Sequence, residues 1–227
     1  MWILFLGTLA IALIASARVK STYMRYLRVP VASGLSGAEA AAQILAAANI
    51  RDVAIVAHDG MLADHYDPLN KRLVLSTDNF YGCSVAALGV SAHEAGHAIQ
   101  HARAYAPLQL RMAAIGATNF ASQAVMWLSV VGMFTGLLAT YTGLMVMAVG
   151  WGVIMAFNLV TLPVEFDASR RAKAVLLSRG MIIRGEEAEG VAKVLNAAGW
   201  TYVAAFLTSL VYFLSYLLPL LNGQRRN

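Results

Sequence analysis

Apolar residues in this chain are gathered into long blocks that are separated by polar, mostly basic segments. The first block covers residues 2–17, and a much longer one, residues 112–164, contains no charged residue. The second block is too long for one membrane-spanning helix of about 20 residues, but it accommodates two. We therefore predict spans at residues 117–139 and 142–163, and a further span in the last apolar block, residues 200–221.

The N-terminal block has two interpretations, a retained membrane anchor or a cleaved signal peptide, because residues 15–17 (ASA) resemble a cleavage site. A signal peptide would carry basic residues before its apolar run, and this block has none there. The basic residues instead follow the block, at Arg18, Lys20, Arg25 and Arg28. We therefore predict a membrane anchor at residues 1–17.

The composition also indicates a membrane protein. Of the 227 residues, 59% are hydrophobic and 13% are charged, and the mean hydropathy is +0.63. We predict a mainly α-helical membrane protein with about four transmembrane helices and a small α+β domain that contains a short sheet. The predicted segments are 1–17, 18–111, 112–163, 164–199 and 200–222. The lone Cys83 excludes an intramolecular disulfide framework, and we expect it to be a small buried packing residue.

The distribution of lysine and arginine predicts the orientation in the membrane. Nine of the 17 basic residues lie at 18–111, six at 164–199 and two after residue 221. The positive-inside rule then places both polar segments on the cytoplasmic side and the N-terminus outside. The net charge of +5 does not indicate nucleic-acid binding, because the basic residues flank apolar blocks and form no single stripe.

The first polar segment contains patterns for a helix and a small sheet. Ser36 and Glu39 have capping-box spacing and predict a helix that reaches about residue 49. The β-branched residues at 53–56 predict a strand, and residues 64–76 predict a hairpin. A sheet of this kind beside a catalytic helix can align an extended peptide along an exposed strand edge.

The same segment carries the motif His-Glu-x-x-His within a predicted helix at residues 81–104, which we expect Pro107 to end. Residues four apart lie on one face of an α-helix, about 6 Å apart along its axis, so His93 and His97 can reach one metal ion. Glu94 then lies beside that ion, where a glutamate can take a proton from the water that the metal activates. The motif predicts a catalytic zinc site.

Catalytic zinc usually has three protein ligands, so one more is needed. His101 continues the spacing of the motif, but it lies about 12 Å along the helix from His93 and cannot share the ion. The acidic residues after the two central spans are the candidates, and we favour Glu165 because the spans return the chain to the membrane face that the metal helix left. Asp167 lies about 200° round the helix from Glu165 and is expected to pair with one of the arginines three and four residues later. The alternative ligands are Asp167, Glu186, Glu187 and Glu189.

Four segments of the chain resemble the YugP-like neutral zinc metallopeptidases, a family of bacterial membrane proteins. They are residues 64–68 (DHYDP), 92–101 (AHEAGHAIQH), 162–172 (LPVEFDASRRA) and 194–198 (VLNAA). The resemblance implies a gluzincin, with one zinc ion per chain on His93, His97 and Glu165, and with Glu94 as the general base. The chain is also distantly similar to HtpX-like membrane proteases, whose ligand segment reads Glu-x-x-Ala-Asp, and Ser169 stands at the position of that aspartate.

The predicted function is that of a zinc-dependent endopeptidase of the bacterial cytoplasmic membrane, with its active site in a zincin-like domain on the cytoplasmic side. We expect a protein or peptide substrate and the lipid bilayer as partners, and no nucleic acid, while homo-oligomer formation stays open. His65 and Tyr66 are candidates for stabilising the oxyanion, because they lie in the polar segment before the metal helix.

The alternative function is a non-catalytic membrane scaffold or assembly factor with a structural or vestigial metal site. Such a site needs ligands but no base, so Glu94 favours the peptidase. A transporter would carry ionisable residues or broken helices within its spans. The two central spans contain no ionisable side chain, which argues against a transporter.

Overall fold

The computed structural model describes residues 2–61 and 63–224, and in these residues it is mainly helical with one small sheet. The elements, in chain order, are α1 (Trp2–Tyr26), α2 (Gly37–Ala47), β1 (Ala54–His58), β2 (His65–Asp67), β3 (Arg72–Ser76), α3 (Thr77–Tyr81), α4 (Val85–Ala102), α5 (Ala106–Thr135), α6 (Tyr141–Ser178) and α7 (Glu186–Gln224). A short 3-10 turn, Leu137–Ala139, connects α5 to α6.

Within the described residues, four helices are long and apolar enough to span a membrane. Their candidate spans are Ile3–Tyr26, Ala106–Thr135, Tyr141–Ser178 and Glu186–Asn222. Large apolar side chains such as Phe120 and Phe134 are about four-fifths exposed, which suits contact with lipid chains. The prediction of four candidate spans and a mainly helical fold is confirmed.

Helix α6 continues without interruption through Pro163, so the helix extends beyond the span predicted at residues 142–163. Proline lacks the N–H that would donate to the carbonyl of Leu159, and its ring crowds that carbonyl. Ending the helix there would leave several backbone groups unpaired in apolar surroundings, which costs more. Glu165 therefore lies inside a long helix and not near a helix start.

Helix α4 is shorter than predicted, because it begins at Val85 and ends at Ala102. The Ser84 side chain caps it by accepting the N–H of Ala87, and the preceding residues form the separate helix α3. Pro107 lies in the first turn of α5, a favoured position for proline, so it helps to start the next helix and does not end α4. Cys83 precedes the cap and is exposed, so the expectation of a buried cysteine is wrong.

The sheet has the strand order β1-β3-β2. β3 pairs antiparallel with β2, which confirms the predicted hairpin, and it pairs parallel with β1. Both β2 and β3 pack on α4, and the side chains of Leu73 and Leu75 are fully buried. The predicted capping box is also confirmed, since Ser36 and Glu39 exchange both of its hydrogen bonds at the start of α2.

The chain divides into two compact units. The first comprises the described residues of Met1–Ala12, Gln109–Leu162 and Tyr202–Asn227. It consists of apolar helical segments, and its contacts include Trp151 stacked on Tyr212 with ring centroids 4.5 Å apart.

The second unit comprises Leu13–Leu108 and Pro163–Thr201 and contains the sheet. Its core is formed by buried apolar side chains from α1, α2, α4, α6 and α7, among them Tyr23, Ile44, Leu88, Leu176 and Val191. Every residue of the site described below belongs to this unit.

Candidate metal centre

Three side chains on α4 and α6 converge at one point. Nε2 of His93 lies 3.2 Å from Oε2 of Glu165, and Nε2 of His97 lies 3.6 Å from the same oxygen. Ligand atoms of the three residues all lie within 4.8 Å of one another. Across the residues that the structure describes, no other trio of histidine, cysteine or carboxylate side chains is arranged in this way. The structure thus brings together the three residues that we predicted as ligands.

The spacing of these donors fits a zinc ion. Zinc is bound by imidazole nitrogen and carboxylate oxygen at about 2.0–2.1 Å, and tetrahedral geometry then sets the ligand atoms about 3.3 Å apart. The distances of 3.2 and 3.6 Å from Glu165 to the two histidines are close to that value. Two histidines and one glutamate also leave the fourth position for water, as catalytic zinc requires.

The centre is buried and carries negative potential. The side chains of His93 and His97 are 13% and 11% exposed, and that of Glu165 is 3% exposed. Burial acts to lower the pKa of His97, but the hydrogen bond to Glu165 and the charge of Glu94 outweigh it and raise the pKa. Glu165 and Glu94 thus place negative charge beside the His97 ring, which favours a cation at this centre.

Glu94 follows the first histidine directly and is 8% exposed. Its charge acts on His97, so the carboxylate lies near the donors. In the described part of the chain, this carboxylate makes no hydrogen bond or ion pair.

The second ring nitrogen of each histidine has an oxygen partner. Nδ1 of His93 lies 3.1 Å from Oγ of Ser169, and Nδ1 of His97 lies 3.0 Å from Oε1 of Gln100. Sequence reasoning missed both partners. One usable signal existed, since Ser169 follows Glu165 by four residues and therefore lies on the same helix face. The serine thus contacts a predicted ligand, His93, from the position that holds aspartate in the HtpX-like pattern.

The acidic residues that we had kept as alternative ligands are engaged elsewhere or lie in solvent. Asp167 is bound by Arg170 and Arg171, as the spacing predicted. Glu187 is buried and accepts the backbone N–H groups of Ala32 and Ile183, both at 2.8 Å. The remaining two glutamates are exposed and lie at the start of α7; they are Glu186 and Glu189.

The two candidate oxyanion donors lie on β2, outside the group of metal-binding side chains. His65 is exposed, and its Nδ1 lies 2.9 Å from the carbonyl oxygen of Ala63. The Tyr66 hydroxyl lies 2.9 Å from Nδ1 of His101, one helical turn beyond His97. Tyr66 and His101 line a pocket of about 340 Å³ beside α4.

Gly96 allows α4 and α6 to approach closely at the centre. A Cβ atom at this position would lie 3.0 Å from the carbonyl oxygen of Ala168 and 3.3 Å from its Cα. Both distances are shorter than ordinary van der Waals contact, and the opposing atoms are backbone and cannot rotate away. Glycine at position 96 therefore sets the distance between the two histidines and Glu165.

We expect Gly96→Ala to push α6 away from α4 by a few tenths of an ångström. The overpacking should lower the free energy of unfolding by about 1–3 kcal/mol, and the shift of Glu165 should weaken zinc binding. Thermal unfolding without zinc and zinc affinity by chelator competition measure the two effects. Gly116→Ala is the control, because an added Cβ at that position meets no atom within 4 Å. Unchanged zinc affinity in Gly96→Ala would show that the close approach does not set the ligand geometry.

Comparison with known proteins agrees with this centre, because two histidines and a glutamate are a donor set of catalytic zinc sites. A family profile described as "Putative neutral zinc metallopeptidase" matches residues 1–221, and the chain belongs to this family. The chain is 42% identical over 229 aligned residues to "Putative membrane protease YugP" of Bacillus subtilis (strain 168), which covers 99% of this chain and 98% of that protein. No solved structure matches the chain. The family that the sequence motifs predicted is confirmed.

Proposed function

We propose that this protein is a membrane-bound, zinc-dependent endopeptidase. His93, His97 and Glu165 hold one zinc ion, and Glu94 is the general base. The observation that carries the proposal is the convergence of the three donor atoms within 4.8 Å, next to the Glu94 carboxylate, which has no bonded partner among the described residues. Membership of a zinc metallopeptidase family supports the same chemistry.

The side chains have separate tasks in peptide hydrolysis. Zinc, when bound, polarises the scissile carbonyl and lowers the pKa of a water molecule that it coordinates. Glu94 accepts a proton from the attacking water and then donates that proton to the nitrogen of the leaving amine. The hydrogen bonds at Nδ1 keep Nε2 of His93 and His97 turned toward Glu165. Peptide binding and oxyanion stabilisation are then left to groups outside the ligand set.

Strand β2 is the proposed guide for an extended peptide. It is an edge strand of the sheet and packs on α4, so its free edge can pair with a substrate backbone. Tyr66 and His65 both lie on this strand and remain our candidates for the oxyanion donor. Tyr66 is the stronger candidate, because it lines the pocket beside α4, whereas His65 is exposed.

We place the protein in the bacterial cytoplasmic membrane, with the N-terminus outside and the metal centre on the cytoplasmic side. Four helices of sufficient length and apolar character support a multi-pass arrangement. Fifteen of the 17 lysine and arginine residues lie at 18–111 and 164–199, the segments that this orientation leaves in the cytoplasm. The relative described as a membrane protease supports the membrane location.

Metal removal tests the proposed activity on the full chain purified in detergent. We expect elemental analysis to find about one zinc ion per chain, and we expect cleavage of a denatured test protein. A chelator should abolish cleavage, and added zinc should restore it. A protein that holds zinc but cleaves neither denatured proteins nor peptides would support the scaffold function, and a protein without zinc would contradict the proposed centre.

A further inference from the structure

Gln100 lies between a proposed zinc ligand and two fixed oxygen atoms, and its side chain is fully buried. Its Nε2 group donates to the carbonyl oxygen of Val164 and to Oδ2 of Asp167, both at 2.9 Å. Its Oε1 atom lies 3.0 Å from Nδ1 of His97. All the hydrogen-bonding groups of this amide are therefore directed at the metal centre or at the helix that supplies Glu165.

The partners of Gln100 determine which way its amide points. A backbone carbonyl and a carboxylate only accept hydrogen bonds, so they require the NH₂ group of Gln100 on their side. The reversed amide would set its oxygen against two other acceptor oxygens and lose both bonds. The orientation thus follows from the chemistry of Val164 and Asp167 and does not depend on how the amide is drawn.

The fixed amide in turn determines the state of His97. Oε1 of Gln100 can only accept, so Nδ1 of His97 must carry the hydrogen. In the neutral ring Nε2 then has the lone pair, and Nε2 is the nitrogen that lies 3.6 Å from Glu165. The ring is therefore prepared to bind a metal through Nε2.

Asp167 is itself held in place. Arg170 and Arg171, from the same helix, both bind its carboxylate, and the side chain is 4% exposed. His93 lacks an equivalent constraint, because the Ser169 hydroxyl can either donate or accept. The two histidines therefore have different supports. The fixed amide of Gln100 constrains the tautomer of His97, whereas the Ser169 hydroxyl leaves both tautomers of His93 possible.

We propose that Asp167 and Gln100 are positioning residues that fix the tautomer and ring orientation of His97 for zinc binding. This inference rests on the proposed function, because it assigns these residues a role toward the zinc ion of that site. It gives Asp167 a task other than ligation. It also explains why two arginines are committed to a nearly buried carboxylate.

Zinc affinity of the full chain in detergent, measured by chelator competition, tests whether Asp167 and Gln100 position His97. Gln100→Leu keeps the volume but removes the acceptor at Nδ1, and we expect about a 10- to 100-fold loss of zinc affinity. Gln100→Glu retains an acceptor for Nδ1, so its loss should be smaller than that of Gln100→Leu. Asp167→Asn offers Gln100 both an oxygen and an NH₂ group, so the orientation of the Gln100 amide is no longer fixed. We expect about a tenfold loss of zinc affinity.

Two further measurements separate positioning from a general effect on folding. Ser91→Ala is the matched control, because Ser91 is buried on the same helix and its hydroxyl has no partner in the described residues; its zinc affinity should equal that of the wild type. The visible absorption of the cobalt-substituted protein reports ligand geometry without any activity. We expect it to change in Gln100→Leu and Asp167→Asn and to stay unchanged in Ser91→Ala.

The order of zinc affinities among the variants decides whether the inference holds. If Gln100 only filled space, Leu would be tolerated better than Glu, since a second carboxylate beside Asp167 is costly. A Gln100→Leu protein that binds zinc like the wild type, or binds it more tightly than Gln100→Glu, overturns the inference. A wild type that binds zinc while the variants show no such order refutes the positioning role alone. A wild type that binds no zinc refutes the proposed function as well.

Discussion

Glu94→Gln is expected to abolish peptide hydrolysis while zinc content stays at about one ion per chain. Glutamine has nearly the same shape as glutamate, and Glu94 is not among the three convergent donors, so the ligands are left intact. The amide cannot accept a proton from water at neutral pH. Loss of general acid–base catalysis typically costs about 10²- to 10⁴-fold in rate, and here one residue serves both the water and the leaving amine.

The measurement for Glu94→Gln pairs elemental analysis with cleavage of a denatured test protein. Glu189→Gln is the control, because Glu189 is exposed, and its ion pair with Lys193 is a surface pair that contributes little to stability. Full cleavage by Glu94→Gln would show that Glu94 is not the base. Equal loss of zinc and of cleavage would show that Glu94 supports the ligands and not the chemistry.

Glu165→Gln is expected to lose zinc itself, and cleavage with it. The substitution replaces an anionic ligand with a neutral amide oxygen and removes the negative charge that lies between His93 and His97. The loss of zinc affinity should exceed the roughly 10- to 100-fold cost that is typical when a supporting partner of a ligand is removed. Asp167→Asn and Gln100→Leu should therefore retain more zinc than Glu165→Gln.

Zinc titration of the purified variant with a competing chelator measures this effect, again beside Glu189→Gln. Full occupancy in Glu165→Gln would mean that another acidic residue is the third ligand. The structure then offers few other candidates for the third ligand. Asp167 and Glu187 are engaged in other bonds, so Glu186 and Glu189, both exposed, would have to move to the centre.

The parts of the site that the sequence predicted are those set by spacing along a single helix. His93 and His97 share a face of α4 because of helical periodicity, and the capping box and the hairpin are equally local patterns. Glu165 was identified by a different argument, the lack of any acidic residue between Glu94 and position 165. The absence of charge across two spans reduced the choice of a distant ligand to a few residues.

The supporting bonds could not be predicted, because they depend on how α4 packs against α6. The bond between Ser169 and His93 joins residues 76 positions apart, and that between Gln100 and Asp167 joins residues 67 positions apart. Ser169 carried one signal, its position one helical turn after Glu165, but Gln100 has no pattern that separates it from an ordinary polar residue on a helix. The continuation of α6 beyond the predicted span has a related cause, because a proline that would break a helix in water is tolerated within a helix in apolar surroundings.

The ligands come from widely separated parts of the chain, and this has a consequence during synthesis. Glu165 follows His93 by 72 positions, and the intervening segment includes α5 and the apolar part of α6. A nascent chain that has not reached residue 165 has two of the three proposed ligands and cannot complete the centre. If the protein is the proposed peptidase, a chain whose synthesis has not passed residue 165 would therefore lack its activity.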